Sequence, residues 1–231
     1  MSETVPETWF LLRQPELAAA ENMATDEALL LQANELAHPV LRFYGWAQPA
    51  ATFGYFQRYS EVAALTALRP LVRRPTGGGI VPHDADWTYS LVFPAGHYWH
   101  GLAAVESYQR VHLWIQRAFA ELNLKTALAE APRQAPTGQC FIGAEQFDVL
   151  LNTRKIAGGA QRRNRNGLLI QGSIQPPPGQ ERSKFEKAFC EYGSAERGIK
   201  WVPLKLSDGL RKQVHALAQS KYSKAEYNEK R

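Results

Sequence analysis

The apolar positions of this chain fall into two periods. In residues 15–37, Leu17, Ala20, Ala24, Ala28 and Leu31 recur three or four apart, which predicts a helix that Pro39 ends. In residues 102–122, Tyr108, Val111, Ile115, Phe119 and Leu122 form a second helical stripe. Strand patterns surround these helices. Residues 40–46 and 51–56 are short, aromatic and β-branched, and Ala47-Gln48-Pro49 separates them like a hairpin turn. Residues 87–93 alternate, with Trp87, Tyr89, Leu91 and Phe93 on one face. Residues 147–151, 154–157 and 168–174 read as further hairpin strands. Helices and strands do not alternate as regular βαβ units. The expectation is therefore an α+β fold, a mixed, largely antiparallel sheet with flanking helices.

Pro176-Pro177-Pro178-Gly179 marks a break. The expected body is residues 1–178. Residues 179–231 read as a polar extension on the same domain, with one weak helix near 208–220 and a frayed end over 221–231. Composition then narrows the class. With 231 residues, 45% apolar and 21% charged, the chain can bury its own core, and disorder is excluded. Two cysteines, Cys140 and Cys190, form neither a CxxC pair nor a disulfide framework, which fits a reducing compartment. Residues 1–7 lack the basic and apolar runs of a signal peptide, and no apolar run reaches the length of a membrane span. A cytoplasmic protein without membrane contact is expected. A net charge of +5 favours acidic partners without choosing among them.

The most informative stretch is Arg73-Arg74-Pro75-Thr76-Gly77-Gly78-Gly79-Ile80-Val81-Pro82-His83-Asp84. Three glycines let backbone approach a ligand closely, and their N–H groups can converge on an oxygen; the same run also suits a plain turn between strands. Arg74 adds fixed positive charge for a carboxylate or phosphate. The run is neither a P-loop nor a dinucleotide fingerprint, since Ile80-Val81 follows the glycines. Lys155 stands among small residues before Gly158-Gly159-Ala160, where its ammonium either reaches a narrow pocket or lies solvated. Cys140 sits in Gly138-Gln139-Cys140-Phe141, either a small buried thiol or an accessible nucleophile. His83 is either a hydrogen-bonding group beside the loop or a structural partner of Asp84. His97-Tyr98-Trp99-His100 has ligand spacing but no third donor nearby, so no metal is expected. Arg162-Arg163-Asn164-Arg165 reads as a basic hairpin tip, either solvated or a dock for an acidic domain. The chain carries no recognisable nucleic-acid motif.

The glycine run, with His83-Asp84 and the strand from Asp86 to Leu91, resembles the signature of the lipoate ligase, octanoyltransferase and biotin ligase superfamily. Three further stretches agree with it. Glu21-Asn22-Met23-Ala24-Thr25-Asp26 resembles the family's first helix, Leu41-Arg42-Phe43-Tyr44-Gly45-Trp46 its first hairpin, and Arg154-Lys155-Ile156-Ala157-Gly158-Gly159-Ala160-Gln161, with Gln171-Gly172-Ser173, its lysine motif. The resemblance covers residues 21–174. The Gly-Arg-Gly-Arg loop of biotin ligases is absent. A Cys-Phe pair fifteen residues before the lysine is similar to cysteine-dependent octanoyltransferases.

The resemblance implies transfer of an octanoyl or lipoyl group to a lysine of a lipoyl domain. Cys140 and Lys155 would be catalytic, and Arg74, Thr76, Gly77, Gly78, Gly79, His83, Gly158, Gly159 and Ala160 would bind substrate. Ile80 and Tyr44 would line the acyl tunnel. The implied donor is octanoyl-acyl carrier protein, and the acceptors are lipoyl domains or glycine cleavage H protein. No cofactor is implied. The alternatives are an ATP- and magnesium-dependent lipoate ligase, with Arg74 and the glycines on an adenylate phosphate, and a scaffold that binds without turnover.

Overall fold

The computed structural model describes residues 6–133 and 143–230. Among these, eleven strands form two sheets. The larger contains β1 (Glu7–Leu17), β2 (Val40–Trp46), β6 (Trp87–Pro94), β7 (Ala127–Leu128), β8 (Val149–Leu151), β9 (Arg154–Asn164), β10 (Gly167–Ile174) and β11 (Ile199–Pro203), in the order β11-β1-β2-β6-β10-β9-β8-β7. The smaller contains β3 (Ala50–Phe53), β4 (Leu71–Arg73) and β5 (Val81–His83), in the order β4-β3-β5. In the large sheet β1 runs parallel to β2 and β11, and every other pair is antiparallel. The helices are α1 (Ala19–Leu31), α2 (Ala33–Leu36), α3 (Tyr59–Leu65), α4 (Tyr98–Gly101), α5 (Ala104–Glu121), α6 (Arg182–Arg197), α7 (Asp208–Leu217) and α8 (Ala225–Asn228), with a π-helical turn at Ala218–Tyr222. This is the expected α+β class, a mixed and largely antiparallel sheet with flanking helices.

Alternation along β6 assigns the two faces of the large sheet. Tyr89, Leu91 and Phe93 enter a core that α5 and α6 close with Trp114, Phe119, Phe185 and Phe189. Trp114 stacks on Phe189 with ring centroids 4.4 Å apart and 6° between planes. Each such ring withdraws enough apolar area for about 1.5–3 kcal/mol. The other face carries Val92 toward Leu29 and Leu30 of α1 and Leu210 of α7. Its polar members, Thr88 and Ser90, lie where α1, the small sheet and the ends of β9 and β10 converge.

Several expectations are corrected. Pro15 belongs to a strand: β1 runs to Leu17, and α1 begins at Ala19. A register shift between Arg13 and Glu16 accommodates Pro15, which has no N–H to donate. The helix then breaks at Gln32, and Ala37 sits at φ 60°. Residues 40–46 and 51–56 are not one hairpin, because β2 and β3 lie in different sheets.

The extension is not merely polar. Phe185, Ala188 and Phe189 of α6 are core residues, and β11 pairs with β1 from Glu7↔Ile199 onward. Finally, residues 221–230 are not frayed. Tyr222 is fully buried beside Ala19, Met23 and Ala50. Asn228 Oδ1 accepts from the Arg73 N–H at 2.9 Å, and the buried Arg73 guanidinium donates to the carbonyls of Tyr55, Gln57, Tyr227 and Asn228.

Candidate active site

The glycine loop, α1 and the inner ends of β9 and β10 line a cavity that opens to solvent. Met23, Tyr44, Trp46 and Val81 give it apolar wall. Lys155, Gly158, Gly159 and Ala160 come from β9, and Gln171, Gly172 and Ser173 from β10. Cross-strand pairing sets that order: Gly158 faces Ser173, Gly159 faces Gly172 and Ala160 faces Gln171.

Lys155 is buried, its side chain 7% exposed, and its Nζ lies 2.7 Å from Asp148 Oδ2. Asp148, fully buried, accepts the backbone N–H of Glu145 on the same oxygen at 2.6 Å. Its other oxygen accepts Tyr108 Oη–H at 2.5 Å, and the Tyr108 oxygen accepts the Gly159 N–H at 3.3 Å. Burial and the Asp148 charge push the Tyr108 hydroxyl well above its ordinary value, so it stays a donor. Gly158 makes room for this arrangement. A Cβ there would lie 2.6 Å from Lys155 Cε and 2.7 Å from its Nζ. Neither Asp148 nor Tyr108 stood out in the sequence: Asp148 precedes an apolar run, and Tyr108 read as part of the helical stripe.

The glycine loop is bracketed from within. Arg74, 5% exposed, lines the cavity and donates to Gly77 O from Nε and Nη2 at 3.0 and 2.5 Å, and to Gly79 O at 2.7 Å. An anion entering here meets a guanidinium already engaged with loop carbonyls. Gly78 turns at φ 85° and lines the cavity, whereas Gly77 and Gly79 do not. Gly54 packs against that turn so closely that a Cβ would lie 1.8 Å from Gly78 O. Thr76 also stays out of the cavity, donating to Gln171 Oε1 at 2.7 Å. Ile80 is corrected too: it packs in the small sheet with Phe53 and Val62, while Tyr44 does line the cavity.

Two buried carboxylates fix the polar walls. Asp26 accepts from Arg42 at 2.6 Å, Ser90 at 2.7 Å, Gln171 at 2.7 Å and Tyr44 at 3.1 Å. Both Asp26 and Arg42 are fully buried, and removing one alone would strand the other at about 3–5 kcal/mol. Gln171 links this centre to Thr76, so α1, β10 and the glycine loop share one network. The second carboxylate is Asp86, not the adjacent Asp84. Its Oδ2 lies 2.8 Å from His83 Nδ1 and accepts from Ser173 and Thr88. His83 Nε2 lies 2.8 Å from Thr52 Oγ1, and the Trp46 ring stacks on the imidazole at 3.7 Å. Both ring nitrogens are thus occupied by protein groups.

Cys140 lies outside the described residues. The chain leaves them at Arg133 and re-enters at Gly143, and Arg133 and Ala144 pair through two backbone hydrogen bonds. Glu145, five positions after Cys140, is the residue whose N–H binds Asp148 beside Lys155. At the β9–β10 tip, Arg162 donates to Pro75 O at 3.2 Å and Arg163 to the carbonyls of His100 and Leu102, which leaves Arg165 as the exposed arginine. His97 caps α4 and meets Glu7 at 2.5 Å, and His100 meets Asn164 O. Among the described residues no cluster of three metal-ligating side chains occurs, and no helix is long and apolar enough to cross a membrane.

Residues 18–191, which hold the whole cavity, match the lipoyl protein ligase A/B catalytic domain family. The chain belongs to this family. Among curated relatives, an octanoyltransferase LipM from Carboxydothermus hydrogenoformans is 35% identical over 174 residues, covering 73% of this chain and 65% of that protein. One from Kyrpidia tusciae is 31% identical, covering 86% and 81%. One from Bacillus subtilis is 29% identical, covering 97% and 99%. Thus the alignment spans just under two thirds of the first relative's length. Among solved structures, a lipoate-protein ligase A bound with ATP superimposes with a TM-score of 0.78 at 18% identity, covering 97% of this chain and 99% of that one. At that identity the likeness speaks for the family's fold alone.

Proposed function

We propose that the chain transfers an octanoyl group from octanoyl-acyl carrier protein to a lysine of a lipoyl domain, or of glycine cleavage H protein, through a thioester on Cys140. The observation that carries this reading is the likeness to relatives named octanoyltransferase at 29–37% identity, against 18% for solved neighbours named ligases. The site's chemistry supports it. An apolar wall with the buried Lys155 ammonium at its edge suits an acyl chain whose carbonyl oxygen gains charge during attack.

In the first step the Cys140 thiolate adds to the donor carbonyl. The donor C–S bond then breaks, and the carrier thiol leaves with the proton that Cys140 lost. In the second step the acceptor lysine amine adds to the enzyme thioester. An amide C–N bond forms, the Cys140 C–S bond breaks, and the proton of the amine passes to the departing thiolate. Lys155 stabilises the oxyanion in both steps and favours the Cys140 thiolate over the thiol. Asp148 and Tyr108 hold the ammonium at the cavity wall. Arg74, Thr76 and Gln171 keep the glycine loop in place, with Gly78 against the acyl chain. No nucleotide or metal takes part, and the reaction belongs in a reducing cytoplasm that keeps Cys140 free.

The test is Cys140→Ala. A well-folded variant without transfer activity is expected. Near-normal turnover by that variant, and above all turnover that needs ATP, would overturn the thioester route in favour of adenylation.

A further inference from the structure

The turn after β3 leaves an aromatic pair outside the core at the rim of the cavity. Phe56 is 74% exposed, more than any other large apolar side chain among the described residues. Its ring meets Tyr55 edge-on at 5.2 Å. Two cations flank Tyr55: the Arg162 guanidinium 5.5 Å from the ring centroid and Lys230 Nζ 4.5 Å from it, also 3.3 Å from the Tyr55 hydroxyl oxygen. The cluster is built onto the glycine loop. Tyr55 N–H donates to Thr76 O at 2.9 Å, and Arg162 donates to Pro75 O. Arg162 also stands two positions beyond the cavity residue Ala160, on the same face of β9 and about 7 Å further out. Lys224 and Glu226 share the surface beside Lys230, and Arg58 is paired with Glu61.

We propose that this rim docks the acidic carrier domain that delivers the acyl thioester, an inference that rests on the octanoyl-transfer reading. An exposed aromatic ring beside an arginine is the composition of an interface anchor, and the lysine adds charge that favours an acidic partner. The cations also choose between the two protein substrates. A carrier brings its thioester on a phosphate-bearing arm, whose negative charge gains from passing Arg162 and Lys230. An acceptor lysine is itself a cation and is repelled along the same path.

The double variant Phe56→Ala/Lys230→Glu tests this, because both side chains are exposed and neither belongs to the reacting machinery. Acyl-enzyme formation is followed by intact mass with octanoyl-carrier protein and with octanoyl-pantetheine, and deacylation with a lipoyl domain. Binding of the carrier is titrated separately by calorimetry. Expected are a rise of tenfold or more in both the KM and the Kd for the carrier, less than twofold in KM for octanoyl-pantetheine, and unchanged deacylation. Equal losses with both donors, slowed deacylation alone, or no change would each overturn the proposal. If the wild type binds the carrier and the variant does not, yet neither donor leaves an adduct, the dock stands and the transfer reading falls.

Discussion

Three groups fix where the charge of Lys155 sits. Asp148 holds the ammonium at 2.7 Å, Tyr108 holds Asp148, and Gly158 leaves the space. Lys155→Ala should therefore lower transfer by about 10²-fold or more, the scale of one lost oxyanion donor, and raise the pH at which Cys140 reacts with iodoacetamide. Lys155→Arg should stay strongly impaired, because a planar guanidinium does not fit the ammonium's place. The labelling reads Cys140 selectively, since burial pushes the Cys190 thiol up to about 11. An alkylation profile unmoved in Lys155→Ala would show that the two side chains are uncoupled. Gly158→Ala should cost transfer tenfold or more and lower the melting temperature, because its Cβ collides with the end of Lys155 and pushes the ammonium off the buried Asp148. Full activity in that variant would mean that the ammonium has another working position. Lys155, Gly78, Gly158 and Gly159, which line the cavity, stood out in the sequence because small residues around a charge are unusual, whereas Gly77 and Gly79 were drawn in with them and do not line it. Asp148 was not legible: Tyr108 is 40 positions away, Lys155 sits on the following strand with no periodic relation to it, and a single carboxylate before an apolar strand carries no local signal.

At the scale of elements, α5 couples the core to the site through His112. Its ring is buried against Tyr108 at 4.0 Å, and neither nitrogen has a hydrogen-bond partner among the described residues. Burial and, secondarily, the Lys155 charge lower its pKa from 6.5 to about 3. Between these values the unfolded chain takes up a proton that the folded chain refuses. The stability tied to the neutral ring is thus full above pH 6.5 and falls as pH drops through that window, by up to about 1.4 kcal/mol per unit. His112→Leu should flatten the decline of melting temperature between pH 6.5 and 4. Parallel acid limbs in variant and wild type would contradict a neutral buried ring. The sequence pattern located α5 within two residues and found the alternating face of β6, since each follows one clean period. It failed at β1, where Leu17 happens to continue the spacing of α1. It failed at α6, where charged neighbours and the preceding prolines mask Phe185, Ala188 and Phe189, although these stand three and four apart.

At the scale of the molecule, the C-terminal extension completes the body that carries the site. β11 extends the large sheet, α6 closes its aromatic core, and the segment around Asn228 grips Arg73 just before the glycine loop. The Arg73–Asn228 contact joins residues 155 positions apart and the Trp114–Phe189 contact residues 75 apart, so no local pattern announces them. The proposed chemistry rests an octanoyl group on Cys140 between donor and acceptor. Intact mass spectrometry after mixing the protein with octanoyl-carrier protein, without ATP, tests it most directly. The expected result is one octanoyl adduct, mapped to Cys140 by peptide digestion, absent from Cys140→Ala and discharged by a lipoyl domain. No adduct without ATP, or an adduct that survives Cys140→Ala, would contradict the account.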